Sequence, residues 1–366
     1  MDLKPKILDK YIMKRFMVTF FIALLLIIGI VIIFDISEKI DDFVHNEVPL
    51  KSIIFDYYVN FVPYFINMFS PLFVFITVIF FTSRLAANSE IIAILSGGES
   101  YHRMMVPYMV SAVIIALLSL VLNFYIIPKA NVTRVEFEQS YIKYSKGKGV
   151  FNRRNVHYQI APGQFVFVES FSTWNNTAYK MTLESVENNR LVSKLSAESA
   201  AWDSTMGGWH MRKYMIRDYN EGLQDRVRCG EKLDTVIALT VTDFYRNEKT
   251  VEALTIGQLN ELIETQKMRG DDNVMYAQIE KQRRMTLPFS AIILTIMGVA
   301  LTSKKKRGGT GWNIALGIGL AFLYILFLRF SEMFVYTGVM SAAAALWLPN
   351  VIYTLIAAVL YKIAPK

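Results

Sequence analysis

The sequence has a single cysteine, Cys229, so no intrachain disulfide can form, and neither a CxxC nor an HExxH pattern occurs in its 366 residues. Redox-dithiol and zinc-protease chemistry are therefore not expected. No GxxxxGK[ST] phosphate loop is present, so a chain of this kind that uses ATP needs a separate motor. Its four histidines, His45, His102, His157 and His210, are scattered, and no Ser/His/Asp arrangement follows from their spacing. Charge is also scarce, at 19% of residues against 53% hydrophobic. That balance is too apolar for an ordinary soluble protein and too interrupted to lie wholly in a bilayer.

The net charge of +8 raises the possibility of nucleic acid, but its distribution argues against it. Lys4, Lys6, Lys10, Lys14 and Arg15 precede the first apolar run, and Lys304, Lys305, Lys306 and Arg307 follow the fourth. Cations placed beside apolar runs set membrane topology. Six runs are long enough for a hydrocarbon core of about 30 Å: Ile12 to Phe34, Ile53 to Thr82, Met104 to Ile127 closed by Pro128, Met285 to Thr302, Trp312 to Tyr336 and Ala343 to Tyr361. Pro63, Pro71 and Pro107 are expected as kinks or helix ends. The first run has no small-residue cleavage site after it and is read as retained.

Between the third and fourth runs the texture changes. Short alternating segments such as Val156-His-Tyr-Gln-Ile, Gln164-Phe-Val-Phe-Val-Glu and Trp209-His-Met-Arg-Lys-Tyr-Met-Ile are separated by Pro162-Gly163, Asn188-Asn189, Gly207-Gly208 and Asn220-Glu-Gly222. Alternation with this punctuation predicts an antiparallel sandwich or roll, with Phe165 and Phe167 assigned to its core and a lipid-facing groove as the other reading. Helical periodicity returns from Ile256 to Met268 and from Asp271 to Arg284, the second stretch feeding straight into the fourth run. The predicted fold is an α-helical membrane protein with six transmembrane helices in a 3+3 arrangement and an inserted all-β domain. Its parts are residues 1–128 (helices 1 to 3, with a short helix at about 88–98), 129–255 (the β domain) and 256–366 (connecting helices and helices 4 to 6).

By parity the basic N-terminus, the loop from Arg84 to Arg103, Lys304 to Arg307 and Lys362 to Lys366 share one side, assigned to the cytoplasm. The β domain falls on the other side. The loop from Ser83 to Arg103 is the only polar island between two long runs on the basic side that has helix signals. Asn88 and Ser89 can cap a helix with Glu90 in its first turn, Gly97 and Gly98 can stop it, and Ser100 can cap the next. A capped helix lying between two spans suits a lever worked by a soluble motor.

The residues that carry a family resemblance are Ile7-Leu-Asp-Lys-Tyr-Ile, Ser83-Arg-Leu-Ala-Ala-Asn-Ser-Glu-Ile-Ile-Ala-Ile-Leu-Ser-Gly-Gly-Glu-Ser, Glu280-Lys-Gln-Arg-Arg-Met-Thr-Leu-Pro-Phe and Trp347-Leu-Pro-Asn. With the 3+3 layout, they make the chain resemble the LptF/LptG (YjgP/YjgQ) permeases of the bacterial lipopolysaccharide exporter over nearly its full length. The opening is more similar to LptG.

The resemblance implies a permease of the bacterial inner membrane with both termini cytoplasmic and a jellyroll-like all-β domain in the periplasm. It would pair with a second LptF/LptG-type permease, be driven by an LptB-type ATPase dimer, and pass lipopolysaccharide to LptC- and LptA-type periplasmic proteins. It implies no cofactor on this chain, with ATP and Mg used by the ATPase, and no nucleic acid. It also places Glu90 and Ser89 at the ATPase contact. Gly97, Gly98 and Arg84 belong to the same segment, Arg84 and Arg103 being read as cations that snorkel to lipid phosphates.

An anionic lipid also needs cations near the outer ends of the helices, and Lys39, Lys129, Arg134 and Arg329 are the candidates, with Glu332 as an i,i+3 partner for Arg329. Lys39 lies among Asp35, Glu38, Asp41 and Asp42, which makes local pairing a competing role. A membrane-anchored periplasmic scaffold without transport is the alternative function. An integral-membrane enzyme is disfavoured by the lack of a polar catalytic cluster in the spans.

Overall fold

A computed structural model describes residues 7–142, 153–219, 224–245, 248–271, 273–303 and 309–364. Six of its helices are long and apolar enough to cross a membrane. The first, α1 (Ile7–His45), continues past the apolar run into Asp35 and Lys39. A three-residue α2 (Leu50–Ser52) and a π-helical stretch (Ile53–Tyr58) lead into α3 (Val59–Ala87), and α4 (Glu90–Ser96) follows. The third span begins with α5 (Tyr101–Val121), passes through a second π-helical stretch (Leu122–Ile126) and continues as α6 (Ile127–Tyr141).

The helix expected to close at Pro128 therefore does not. Pro128 falls on the second residue after a π-helical stretch, whose shifted hydrogen bonds relax the demand for the N–H that proline lacks. Pro63, Pro71 and Pro107 all lie inside helices.

After the sheet come α7 (Val241–Tyr245), α8 (Glu248–Glu252), α9 (Ile256–Arg269), α10 (Val274–Thr302), α11 (Gly309–Tyr336) and α12 (Ala342–Ile363). As expected, the charged helix before the fourth apolar run and the run itself are one helix, α10. Contacts divide the chain into two units, one holding residues up to 134, 252–256 and 278 onward, the other 135–251 and 257–277.

In the helical unit, one stripe of α1 (Ile12, Phe16, Phe20, Leu24) is buried at i,i+4 spacing against Val74, Val78 and Phe81 of α3 and Met105, Tyr108 and Ile115 of α5. The opposite face, including Leu25, Leu26, Ile33 and Phe34, is exposed and apolar, as hydrocarbon solvent requires. Helix α10 approaches α3 closely at Gly298, where an added Cβ would lie 2.8 Å from Val78 Cγ1.

The other unit is built on β1 (Arg153–Ala161), β2 (Gln164–Ser172), β3 (Thr177–Glu187), β4 (Arg190–Asp203), β5 (Gly208–Asp218) and β6 (Arg226–Thr235). These form one antiparallel sheet in sequence order. The all-β insertion is as the alternation predicts. Its strand order is a meander, with none of the Greek-key crossings of a jellyroll among the described strands. Tight turns explain this: Asn188 and Asn189, both at positive φ, join β3 to β4, and Gly163 at φ +74 joins β1 to β2. The Asn220 to Gly222 turn lies outside the described residues.

Val166, Val168, Phe171, Met181 and Trp209 fill the sheet's core with Leu239 and Phe244. Phe165 and Phe167, expected in the core, point to the other face and line an open cleft of about 520 Å³ with His157, Thr182, Glu184 and Lys194. Alternation separates the two faces of a strand without saying which is buried, and here the β-branched valines took the core.

Candidate functional site

The lever segment folds as a seven-residue helix between α3 and α5. Only Asn88 and Ser89 join it to α3, a turn so tight that Ser89 adopts φ 60, ψ 15. An N-cap side chain bonds its helix from extended backbone, so Ser89 makes no capping bond and the expected cap is corrected. Its carbonyl still accepts from Ala93 N at 3.0 Å, and Asn88 Nδ2 instead donates to Glu90 Oε1 at 3.1 Å.

Tyr11 of α1 donates to Glu90 Oε2 at 3.2 Å, leaving the carboxylate half-buried and held from two sides. At the far end Gly97 and then Gly98, at φ +87, stop the helix, and Ser100 caps α5 by accepting from Arg103 N. Ile91 is buried in the same cluster as Leu85, Ala86, Tyr101 and Ile12, so the lever is packed onto α3 and α5. Ile92, Ala93, Ser96, Gly97 and Gly98 form an exposed face.

Arg84 is exposed. Arg103 does not snorkel: it makes a bidentate pair with Asp9 of α1, at 2.9 and 2.5 Å. The fork geometry of guanidinium and carboxylate outcompetes a mobile lipid phosphate.

A second polar centre lies among the spans around Glu252. Its carboxylate receives Tyr64 OH of α3 at 2.9 Å and Arg134 Nη2 of α6 at 3.3 Å, with Arg283 Nη1 of α10 at 4.0 Å. Arg134 also stacks over the Tyr64 ring, 4.8 Å from its centroid. The backbone of the same segment is held separately. Arg284 donates to the Leu254 carbonyl at 2.7 Å and the Glu252 carbonyl at 3.0 Å, and Asn131 reaches the Glu252 carbonyl at 3.3 Å.

Arg284 is 1% exposed and pairs through Nε with Glu280 at 2.7 Å. Arg283 donates to Glu332 of α11 at 3.0 Å, and Arg329 reaches the other oxygen of Glu332 at 3.0 Å. Burial, and then repulsion from Glu280, push Glu252 up to about 6 against the pull of Arg134, Arg283 and the Tyr64 hydrogen bond.

A chain of amides crosses the spans next to this centre. Ser119 donates to Asn67 Oδ1 at 2.6 Å, Asn67 to Asn123 Oδ1 at 2.8 Å, and Asn123 points toward the Arg284 carbonyl at 3.5 Å. That carbonyl is the one whose helical partner Pro288 removes.

The sequence matches the family model of the lipopolysaccharide export system permease LptF/LptG over residues 10–363, nearly its whole length. The chain belongs to the LptF/LptG family. It is a multi-pass membrane protein of lipopolysaccharide transport, and the match does not separate LptF from LptG. A comparison with individual curated proteins gives no match.

In this LptF/LptG permease the candidate cations are not gathered in one place. Arg134 and Glu332 join the charge centre and Arg329 sits at its edge, whereas Lys129 is exposed on α6. Lys39 pairs with Asp35 and Tyr57, the local pairing that its acidic neighbours allow. Glu252 and Tyr64 were not singled out from sequence, and Glu280, Arg283 and Arg284 entered only as part of a family motif, with no site role. The available signal was two adjacent arginines, with Glu280 at i−3 and i−4, running into an apolar span.

Of the histidines, His210 lies between Asp203, at 2.9 Å, and Asp234. Both carboxylates raise its pKa, Asp234 the more strongly. His102 meets Tyr361 OH at 3.0 Å and His157 packs on Phe167.

Proposed function

We propose that the chain is the membrane permease of an ATP-driven exporter that takes lipopolysaccharide from the outer leaflet of the inner membrane and passes it to a periplasmic bridge. Its termini and α4 lie in the cytoplasm and the β unit in the periplasm. It works with an LptB-type ATPase dimer and a second LptF/LptG-type permease, and hands its lipid to LptC- and LptA-type proteins.

The observation that carries this reading is α4: a short helix fixed to α3 and α5 through Ile91, with an exposed face of Ile92, Ala93 and Ser96 and an acid at its start. A passive anchor needs no such element, because nothing has to push on it. Glu90 and the exposed residues as far as Gly98 form the contact with the ATPase. Lys129 and Arg329, both exposed, are the cations offered to the lipid's phosphates.

The test is Glu90→Lys. The variant should insert and fold as the wild type does, because the carboxylate is only half-buried and its two hydrogen bonds, each worth about 1.5–3 kcal/mol net to a charged acceptor, can be exchanged for bonds to water. It should fail to co-purify with the ATPase or to support its turnover. Normal assembly and turnover in Glu90→Lys would refute the coupling role.

A further inference from the structure

The strongest unassigned feature of the helical unit is the carboxylate of Glu252. The segment on which it sits, residues 252–256, is a short piece of the helical unit between two stretches of the other, and its position does not depend on that carboxylate. Arg284 and Asn131 already hold the backbone carbonyls of Glu252 and Leu254. The carboxylate is engaged separately by three groups from three different spans, Tyr64 on α3, Arg134 on α6 and Arg283 on α10, and through Arg283 it is joined to Glu332 on α11.

Any rotation or slide of one of these spans relative to the others breaks a contact to the same two oxygens. Such a group reports the relative position of the helices far more sharply than it stabilises any one of them. The burial around it disfavours the ionised form, and Arg134 and Arg283 hold the charge there against that preference. Groups kept against the preference of the fold mark function.

Resting on the exporter reading, we propose that the Glu252 charge is a positioning device for transport. It latches Tyr64 of α3, Arg134 of α6 and Arg283 of α10 to one carboxylate in one arrangement of the spans and releases them when they move, so that ATP hydrolysis is converted into lipid movement.

The experiment uses the full chain in its complex with the second permease and the ATPase, reconstituted in vesicles that contain lipopolysaccharide, with lipid release to a periplasmic acceptor and ATP hydrolysis measured in parallel. Glu252→Gln keeps the shape and the Tyr64 hydrogen bond and removes the charge. It is expected to assemble, to melt no lower than wild type, to hydrolyse ATP within about twofold of wild type, and to move lipid at least tenfold more slowly. Glu252→Asp restores the charge on a shorter stem and is expected to recover part of the transport.

Wild-type transport by Glu252→Gln, failure of Glu252→Asp to recover any, or loss of transport in step with loss of folded protein would each overturn the latch. A wild-type complex that hydrolyses ATP and moves no lipid overturns the exporter reading, and this inference with it.

Discussion

The chemistry of Glu252 makes a quantitative prediction about stability. Burial and the neighbouring Glu280 raise the folded-state pKa from 4.5 to about 6. Below pH 4.5 the group is protonated in both folded and unfolded chains and contributes nothing to pH dependence. Between 4.5 and about 6 the folded protein keeps a proton that the unfolded chain has released, so stability falls as pH rises, and the loss is complete above the folded value. At about 1.4 kcal/mol per unit of displacement, the wild type is less stable at pH 7.5 than at pH 4 by about 2 kcal/mol from this residue alone.

Glu252→Gln cannot release a proton and lacks this component. Thermal unfolding of the purified protein in detergent, followed from pH 4 to 8 for both proteins, isolates it, because the other titrating groups are common to both. The difference in midpoint should favour Glu252→Gln progressively from pH 4.5 to 6.5 and then level off. Parallel curves would refute the argument, and a variant that is less stable at pH 7.5 would show that Arg134 and Arg283 outweigh the burial of the charge.

Two further predictions concern the helical unit. Arg103→Asp should lower the amount of folded protein recovered from membranes, since it sets two carboxylates against each other where a bidentate pair stands, and adding Asp9→Arg should restore it; lack of rescue would mean that the pair is incidental. Asn67→Leu leaves Asn123 Oδ1 and Ser119 without their partner among buried groups, and should destabilise by about 1–3 kcal/mol in detergent melts, an unchanged midpoint counting against the amide chain.

Much of this was legible in the sequence for a definite reason. Six apolar runs can only be spans, because hydrocarbon leaves no other way to satisfy the backbone, and period-two alternation with Asn and Gly punctuation can only be hairpins. The short helix α4 was legible because the polar island between two spans carries both an acid for a first turn and glycines for a stop. Arg329 and Glu332 were paired correctly from their spacing, since i,i+3 neighbours on a helix must meet.

Hidden were the features that depend on contacts across the chain. Glu252 lies 118 residues from Arg134 and 188 from Tyr64, in a polar stretch where an acid is ordinarily solvated. The cap at Ser89 failed because the connection to α3 proved shorter than a capping geometry allows. Phe165 and Phe167 were assigned to the wrong face because pattern fixes alternation and tertiary packing fixes its phase.

One helix joins the two polar centres. Helix α3 presents Tyr64 to Glu252 near its start, and packs Leu85 and Ala86 against the lever at its end. The 21 residues from Tyr64 to Leu85 span about 32 Å at 1.5 Å per residue, close to the thickness of a hydrocarbon core. On the exporter reading, a push on α4 from the motor is delivered by α3 across the whole membrane to the ring that holds the Glu252 carboxylate. A displacement of about an ångström at Tyr64 is enough to turn a hydrogen bond of 2.9 Å into no bond. A hydrophobic contact at that place would respond to a slide with less discrimination, because dispersion is non-directional and one set of neighbouring atoms can replace another. The directional hydrogen bonds from Tyr64 and Arg134 to one carboxylate are made in one arrangement of the spans and lost in another, which is the property needed to turn a stroke at one face of the membrane into a change of state at the other.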